Sequence, residues 1–491
     1  METELKFSLD PGKASRLTRH PRLAGLHPRR RRLLSLYFDT PDLALKARRV
    51  ALRLRRVGYH WIQGLKGETR AEGALSRRPE WEVAVAAGEP DPSVLPAEAR
   101  ALLQGVDLAA LVPVFQTDIR RTTWEVIQGA SRVEVALDRG EIRAGETVLA
   151  VSEVEMELIS GQAADLLALA GEFLADVPLG VDPRSKAERG FMLHGFRAGP
   201  VRGEAPALAA AEPAAASRQA ILAAALAQLV ANVPGFLERP EEPEYLHQLR
   251  VALRRLRGVA GLGRALGLPR PVWSDALAAI MADLNPARDW DVFLQETLPG
   301  LQPALAGAPL DEAFQALMGE LAAQARRVAQ KRLASTDFTG LVLALGTDLL
   351  AATAATAFPR TDAWSGAILK RRWKRLRGYG RRAASLGGDE RHRARLAAKK
   401  LRYAADALAG LYGKRGRPFI RALARLQDRL GEANDLRIGI RLMAGIRDGY
   451  PAHAFEAGRV SGALAARQAG RWRKAAGAWR ALGKVRPFWT A

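Results

Sequence analysis

The chain contains no cysteine. That excludes disulfide cross-links and thiolate metal sites, and it suits a reducing compartment. No secretory leader is legible either, because Glu2 and Glu4 sit inside an alternating pattern where a leader would be basic and then apolar. The most apolar stretch, 341–358, contains Asp348 and several threonines and reads as a buried bundle helix. The expectation is a soluble, cytoplasmic protein without a membrane partner. Acid is scarce in the rear of the chain: residues 1–198 carry 29 basic and 27 acidic residues, whereas 199–491 carry 46 and 25. The front is balanced, and the rear is a polycation whose partner should be a polyanion. Nucleic acid, acidic lipid and inorganic polyphosphate all qualify. The basic stripes lack interleaved aromatics for base stacking, which argues against nucleic acid.

What is present begins at the first residues. Glu2, Glu4 and Lys6 alternate with Thr3, Leu5 and Phe7. In an extended strand the charges share one face and the apolar side chains the other. Unpaired buried charge is expensive, so the charged face is either solvated or holds ions. The pattern recurs. Residues 34–41 end a strand at a turn. Residues 50–57 place Arg53 and Arg55 on one face, and 61–66 end on Lys66. Glu80 and Glu82 alternate with apolar neighbours, Arg120 and Arg121 follow within 115–124, and Asp138 lies near the turn of 132–142. Residues 151–158 place Glu153, Glu155 and Glu157 on one face, before a helix at about 162–175 and a loop carrying Lys186 and Arg189. So many short strands of mixed charge predict an antiparallel β-barrel with a wet, charged lumen and an outer face covered by helices. Paired carboxylates suit hard divalent cations, and the arginines and lysines suit phosphate oxygens. Together they fit a metal-bound triphosphate.

The ordered series Glu-Thr-Glu-Leu-Lys, Tyr-Phe-Asp-Thr-Pro, Leu-Arg-Leu-Arg, Glu-Trp-Glu, Thr-Asp-Ile-Arg-Arg, Glu-Val-Glu-Met-Glu and Ser-Lys-Ala-Glu-Arg-Gly resembles the CYTH superfamily, the triphosphate tunnel metalloenzymes. The resemblance covers about residues 1–198. It implies that Glu2, Glu4, Asp138, Glu153, Glu155 and Glu157 hold one or two divalent ions, Mg2+ or Mn2+, with Glu2, Glu4 and Lys6 at the catalytic centre. It implies that Lys6, Arg53, Arg55, Lys66, Arg120 and Lys186 grip phosphates, supported by Arg121, Glu80, Glu82 and Arg189.

Residues 199–216 lack a hydrophobic pattern, hold three prolines and read as a linker. Residues 217–491 have helical apolar periodicity and repeat themselves, at about 217–345 and 365–491. His247, Arg250, Arg254 and Arg257 share spacing with His392, Arg395, Lys399 and Arg402, and each set falls on one helical face. Leu-Asn-Pro-Ala-Arg-Asp-Trp-Asp at 284–291 echoes Leu-Gly-Glu-Ala-Asn-Asp-Leu-Arg at 430–437. The reading is an all-α domain of two pseudo-symmetric bundles. Like charges stacked at helical spacing repel and are best tolerated with an anion between them. Asp289, Asp291, Asp428 and Asp435 are candidates either to fix the basic side chains or only to cap helices. This half resembles the CHAD domain, a helical histidine-rich-motif domain known as a polyphosphate binder. The resemblance implies polyphosphate contacts at His247, Arg250, Arg254, Arg255, Arg257, His392, Arg395, Lys399, Lys400 and Arg402, and also at Lys370, Arg371, Lys374 and Arg375.

The whole points to a metal-dependent inorganic triphosphatase, acting on tripolyphosphate, whose helical domain binds long-chain polyphosphate, and polyphosphate granules are the expected location within the cytoplasm. Two alternatives stand beside it. One is an adenylate cyclase or an organic (nucleoside or thiamine) triphosphatase. The other is a non-catalytic granule or nucleic-acid binder.

Overall fold

The computed structural model describes the chain except residues 1, 68–69, 73–74, 87, 302–304, 306–308, 352–357, 384, 469–470 and 490–491, and leaves out the side chains of 2, 70–72, 75–78, 388 and 471–473. The chain forms two compact units. The first comprises Met1–Val201, Val233–Gly235 and Leu333–Ala351; the second comprises Arg202–Asn232, Phe236–Arg332 and Ala352–Ala491.

The first unit is one antiparallel sheet. Its strands are β1 (Glu2–Leu9), β2 (Arg29–Asp39), β3 (Ala51–Val57), β4 (His60–Lys66), β5 (Arg70–Glu72), β6 (Leu75–Arg78), β7 (Glu80–Val85), β8 (Val112–Gln128), β9 (Ser131–Ala144), β10 (Thr147–Ser160) and β11 (Leu179–Val181). They pair in the order β5-β6-β1-β10-β9-β8-β2-β3-β4-β7, with β11 also on β1. The sequence predicts a closed barrel; the sheet does not close. Among the described residues no ladder joins β7 to the β5–β6 hairpin at the opposite edge. The chain itself crosses that gap at Pro79, the single residue between β6 and β7. Proline has no N–H to give to a ladder, and Gly67 N donates to its carbonyl at 3.1 Å. The result is a curled, open sheet whose two edges are linked by the chain at Pro79 and are not paired with each other among the described residues.

The alternation of β1 works as its sequence dictates. Leu5 and Phe7 are buried in an outer core with Trp124, Val135 and Met156 of neighbouring strands and Leu166, Leu169 and Phe173 of the helix Ala163–Asp176. Each such side chain contributes roughly 1.5–3 kcal/mol of burial. Glu4 and Lys6 are thereby turned to the inner face. The helix Lys186–Leu193 starts at a Ser185–Glu188 capping box and packs Phe191 against Phe115, which stacks on Tyr37.

The helix Thr336–Leu350 is assigned to the rear domain by sequence position, yet it packs in the first unit. Ser335 caps it, accepting from Phe338 N, and Leu343 joins the outer core. Thr339 Oγ1 donates to Leu179 O of β11 at 2.7 Å, and β11 is the strand beside Phe7 and Leu9 of β1.

The second unit is helical. Pro243–Arg264 packs against Ser274–Val292, Gly388–Leu408 packs against Arg417–Gly449, and the two histidine-bearing helices, Pro243–Arg264 and Gly388–Leu408, pack against each other. The equivalent helices of the two repeats therefore meet. Among the described residues Ala214–Glu238, rather than the stretch 341–358 singled out from the sequence, is by itself long and apolar enough to cross a membrane, and 67% of its apolar window is buried.

Candidate active site

Strand register assembles the acids. On β1 and β10, Glu4 lies opposite Glu157, Lys6 opposite Glu155, and Ser8 opposite Glu153. Across β9, Glu153 faces Asp138, which in turn faces Arg121 of β8. Like charges placed opposite each other destabilise a sheet, so the cations here are structural necessities. Lys6 Nζ lies 3.3 Å from Glu4 Oε1 and 3.1 Å from Glu155 Oε1. Arg121 grips Asp138 bidentately, at 2.7 and 2.6 Å, and also donates to Glu155. Lys186 Nζ lies 2.6 Å from Asp138 Oδ2 and 3.1 Å from Glu155 Oε1, and it also pairs with Glu153. Arg189 pairs with Glu153 as well. Burial alone would raise the Glu155 pKa, but Lys186, Lys6 and Arg121 outweigh it and hold the carboxyl well below its usual range. The same balance lowers Asp138, with Lys186 and Arg121 the counter-charges.

The opposite wall is more cationic. Arg53 Nη2 bonds Glu80 at 2.8 Å and Glu82 at 2.7 Å, and Lys66 Nζ lies 2.7 Å from Glu80. Arg55 is different. The Glu82 carboxylate stands 3.6 Å from its Nη1, and its buried Nε has no hydrogen-bond partner among the described residues. Burial, then repulsion by Arg53, pushes its pKa down to about 10. A phosphate oxygen would relieve both effects. The two walls enclose a cavity of about 390 Å3 whose lining includes Lys6, Arg53, Arg55, Lys66, Arg121, Asp138, Glu155, Glu157 and Lys186.

Asp138, Glu153 and Glu155 each offer a carboxylate oxygen within 4.8 Å of the others. An all-oxygen donor set of this kind fits a hard divalent cation. The Lys186 ammonium held among the same three carboxylates shows that the cage suits a cation.

In the second unit, Arg250 and Arg254 on one histidine-bearing helix face Arg395 and Lys399 on the other. Lys399 has no carboxylate within ion-pair distance among the described residues. Burial, then Arg395, Arg254 and Arg250, lowers its pKa to about 7. Burial and Arg254 likewise bring Arg250 to about 10. The guanidinium of Arg254 lies over the Tyr403 ring at 5.9 Å. His247 borders the group, with its pKa lowered by burial and then by Arg288. Asp289 and Asp435 are nearby, each with a pKa raised by burial despite the arginines.

Comparison with known proteins accounts for both halves. A family model described as the CYTH domain matches residues 1–191, and one described as the CHAD domain matches residues 220–444. The chain carries a CYTH domain followed by a CHAD domain. A curated protein of Haemophilus influenzae named inorganic triphosphatase is 32% identical over 199 residues, 39% of this chain and 54% of that protein. The chain thus spans about half the length of that curated relative. The crystal structure of the CHAD domain from the plant Ricinus communis is 31% identical, with a TM-score of 0.52 over 59% of this chain and 98% of that one.

Of the residues expected in the CYTH site, Lys6, Arg53, Arg55, Lys66, Asp138, Glu155, Glu157 and Lys186 line the tunnel, and Glu4 and Glu153 pair with Lys6 and Lys186 at its wall. The Glu2 side chain lies outside the described residues. Arg120 does not converge: it is exposed and faces outward, and Arg121 is the inward arginine of β8. The available signal was Trp124, which shares the parity of Arg120 and lies in the outer core. In the CHAD domain the stripes separate. His247, Arg250, Arg254, Arg395 and Lys399 gather at the helix pair. Arg257, His392, Lys400, Lys370, Arg371, Lys374 and Arg375 are exposed. Arg255 donates to Gln228 and Arg402 to Asp406. Asp291 is fully buried and bonded to Arg326 at 2.6 Å, and Asp428 lines a cleft of about 280 Å3 that also holds His247, Arg254 and Arg402.

Proposed function

We propose that the CYTH domain hydrolyses inorganic tripolyphosphate to pyrophosphate and phosphate, and that the CHAD domain holds long-chain polyphosphate. The curated relative's name supports the reaction class. The observation that carries the reading is the composition of the tunnel wall, above all Arg55, a desolvated guanidinium whose Nε has no hydrogen-bond partner among the described residues. Phosphate groups would supply the charge this wall lacks.

In this reading Arg53, Arg55 and Lys66 neutralise the retained diphosphate, where charge grows as the bond from the terminal phosphorus to the bridging oxygen breaks. Water supplies the oxygen that replaces it, and the leaving pyrophosphate keeps the electron pair. Arg121 and Lys6 orient Glu155 and Asp138, and the curled sheet limits competing water. Asp138, Glu153 and Glu155 would hold a divalent ion, Mg2+ or Mn2+, which supplies Lewis-acid stabilisation of phosphate charge and a more acidic water. In the CHAD domain, Lys399, Arg395, Arg250 and Arg254 are the cations that a polyphosphate chain would neutralise.

The test is a panel of tripolyphosphate, ATP and thiamine triphosphate at equal concentration with Mg2+ or Mn2+. Preference for tripolyphosphate supports the reading; preference for ATP or thiamine triphosphate replaces it with the organic one. For the CHAD domain, polyphosphate competes against single-stranded DNA on the full chain at matched salt, and preference for DNA overturns the assignment.

A further inference from the structure

A second pocket opens beside the tunnel. It measures about 260 Å3 and is lined by Lys46, Arg49, Lys66, Ser185, Glu188 and Phe191, among others. Lys66, Ser185 and Ala187 line both cavities, so the two share a wall. Neither Lys46 nor Arg49 belongs to the machinery described above.

The pocket is built rather than incidental. Asp39 is fully buried and accepts from the backbone N–H groups of Leu45 and Lys46, at 2.8 and 2.9 Å, which fixes the single turn Ala44–Ala47. The two ends of that turn are strained. Leu43 and Arg49, with φ of 58° and 60°, are the non-glycine residues with left-handed backbone among the described ones. Such conformations cost on the order of 1–3 kcal/mol each and persist where the surroundings impose them, often at ligand sites. The turn presents Lys46 half-buried, with Nζ 5.4 Å from the Phe191 ring and 5.0 Å from the Phe196 ring. Among the described residues no carboxylate lies within ion-pair distance of it. Burial lowers its pKa, with Glu188 opposing. Glu188, the acid in the lining, is committed elsewhere: its carboxylate accepts from Ser185 N at 2.8 Å and Ser185 Oγ at 3.0 Å. A partly desolvated ammonium and a guanidinium therefore continue the cationic wall beyond Lys66.

We propose that this pocket is an extension subsite for inorganic phosphate chains longer than three, with Lys46 and Arg49 contacting phosphates beyond those held in the tunnel. The inference rests on the triphosphatase reading and adds a chain-length range to it. Polyphosphate is a repeating anion, so a chain held at Lys66 carries its next charges to whichever cations adjoin Lys66. The geometry makes those cations Lys46 and Arg49.

The experiment measures kcat/KM of the metal-loaded full chain for tripolyphosphate, tetraphosphate, pentaphosphate and ATP. It compares the wild type with Lys46→Met/Arg49→Gln and with Lys46→Arg. The double variant is expected to lose about tenfold on tetra- and pentaphosphate, roughly 1.4 kcal/mol, and to stay within about twofold on tripolyphosphate. Lys46→Arg keeps the charge and should keep both activities. Tripolyphosphate turnover serves as the folding control. A wild type that turns over tripolyphosphate but not the longer chains overturns the extension and leaves the triphosphatase reading standing. So does an equal change on every chain length, or none. A loss confined to ATP assigns the pocket to a nucleoside instead and also overturns it. If tripolyphosphate is not turned over at all, both readings fall.

Discussion

The Lys186 ammonium lies 2.6 Å from Asp138 Oδ2, inside the cage that Asp138 completes with Glu153 and Glu155. An ammonium and a divalent ion cannot share that space, so loading the ion requires Lys186 to withdraw, and a phosphate is the natural acceptor for it. Lys186→Met removes the internal competitor. In the absence of phosphate it should tighten Mn2+ binding by about tenfold, roughly 1.4 kcal/mol, read by calorimetry or manganese EPR. Unchanged or weaker Mn2+ binding would place the ion elsewhere.

The parity of β8 yields a second prediction. Arg121→Leu strips the bidentate partner from Asp138 and a partner from Glu155, leaving buried carboxylates short of charge. The expected cost is roughly 3–5 kcal/mol, seen as a lower melting temperature together with loss of turnover. Arg120→Leu on the exposed face should change stability by no more than about 0.5 kcal/mol and leave turnover intact. The reverse ranking would show that the strand is turned over.

Lys399 gives a pH dependence. Its pKa is lowered to about 7 in the fold, against about 10.4 unfolded. Between those values the unfolded chain binds the extra proton, so this group's contribution makes stability rise with pH across that window. A polyanion reverses the balance by favouring the ammonium. Polyphosphate binding near pH 8 should therefore take up protons, visible as a buffer-dependent heat in calorimetry, and Lys399→Gln should abolish that uptake. Binding without proton uptake in the wild type counts against Lys399 as a contact.

The helix Thr336–Leu350 predicts that the CYTH fold depends on a distant segment. Leu343→Ala should destabilise the first unit by about 2–5 kcal/mol, and a chain ending near residue 201 should melt lower than the full protein. Equal melting of the first unit in the short and full chains would show that the helix adds nothing.

Much of this was legible in the residues. The β1 alternation forced Glu4 and Lys6 inward because Leu5 and Phe7 needed a core, and the same logic held for Arg53, Arg55, Glu153 and Glu155. Alternation alone does not choose between the adjacent Arg120 and Arg121; Trp124, which shares the parity of Arg120 and lies in the outer core, settles the face. Strand patterns do not report closure: that β7 and the β5–β6 hairpin stay unpaired on either side of Pro79 depends on long-range pairing. Lys46 and Arg49 were invisible because their placement depends on one strained turn and a buried Asp39. In the CHAD domain the repeat showed which cations share a helix face. Which of them are pressed together depends on how the two helices meet, so Lys399 lies against the opposite helix while His392 is exposed. The docking of Thr336–Leu350 is a tertiary contact between residues far apart in sequence, and no local pattern encodes it.

The central claim is that a metal-clamped phosphate chain occupies the tunnel. Phosphate release from tripolyphosphate with Mg2+ or Mn2+ tests it most directly, comparing the wild type, the wild type with excess chelator, and Glu155→Gln. The account predicts turnover in the first and a fall of at least about 100-fold in the other two. Equal rates in all three would contradict it.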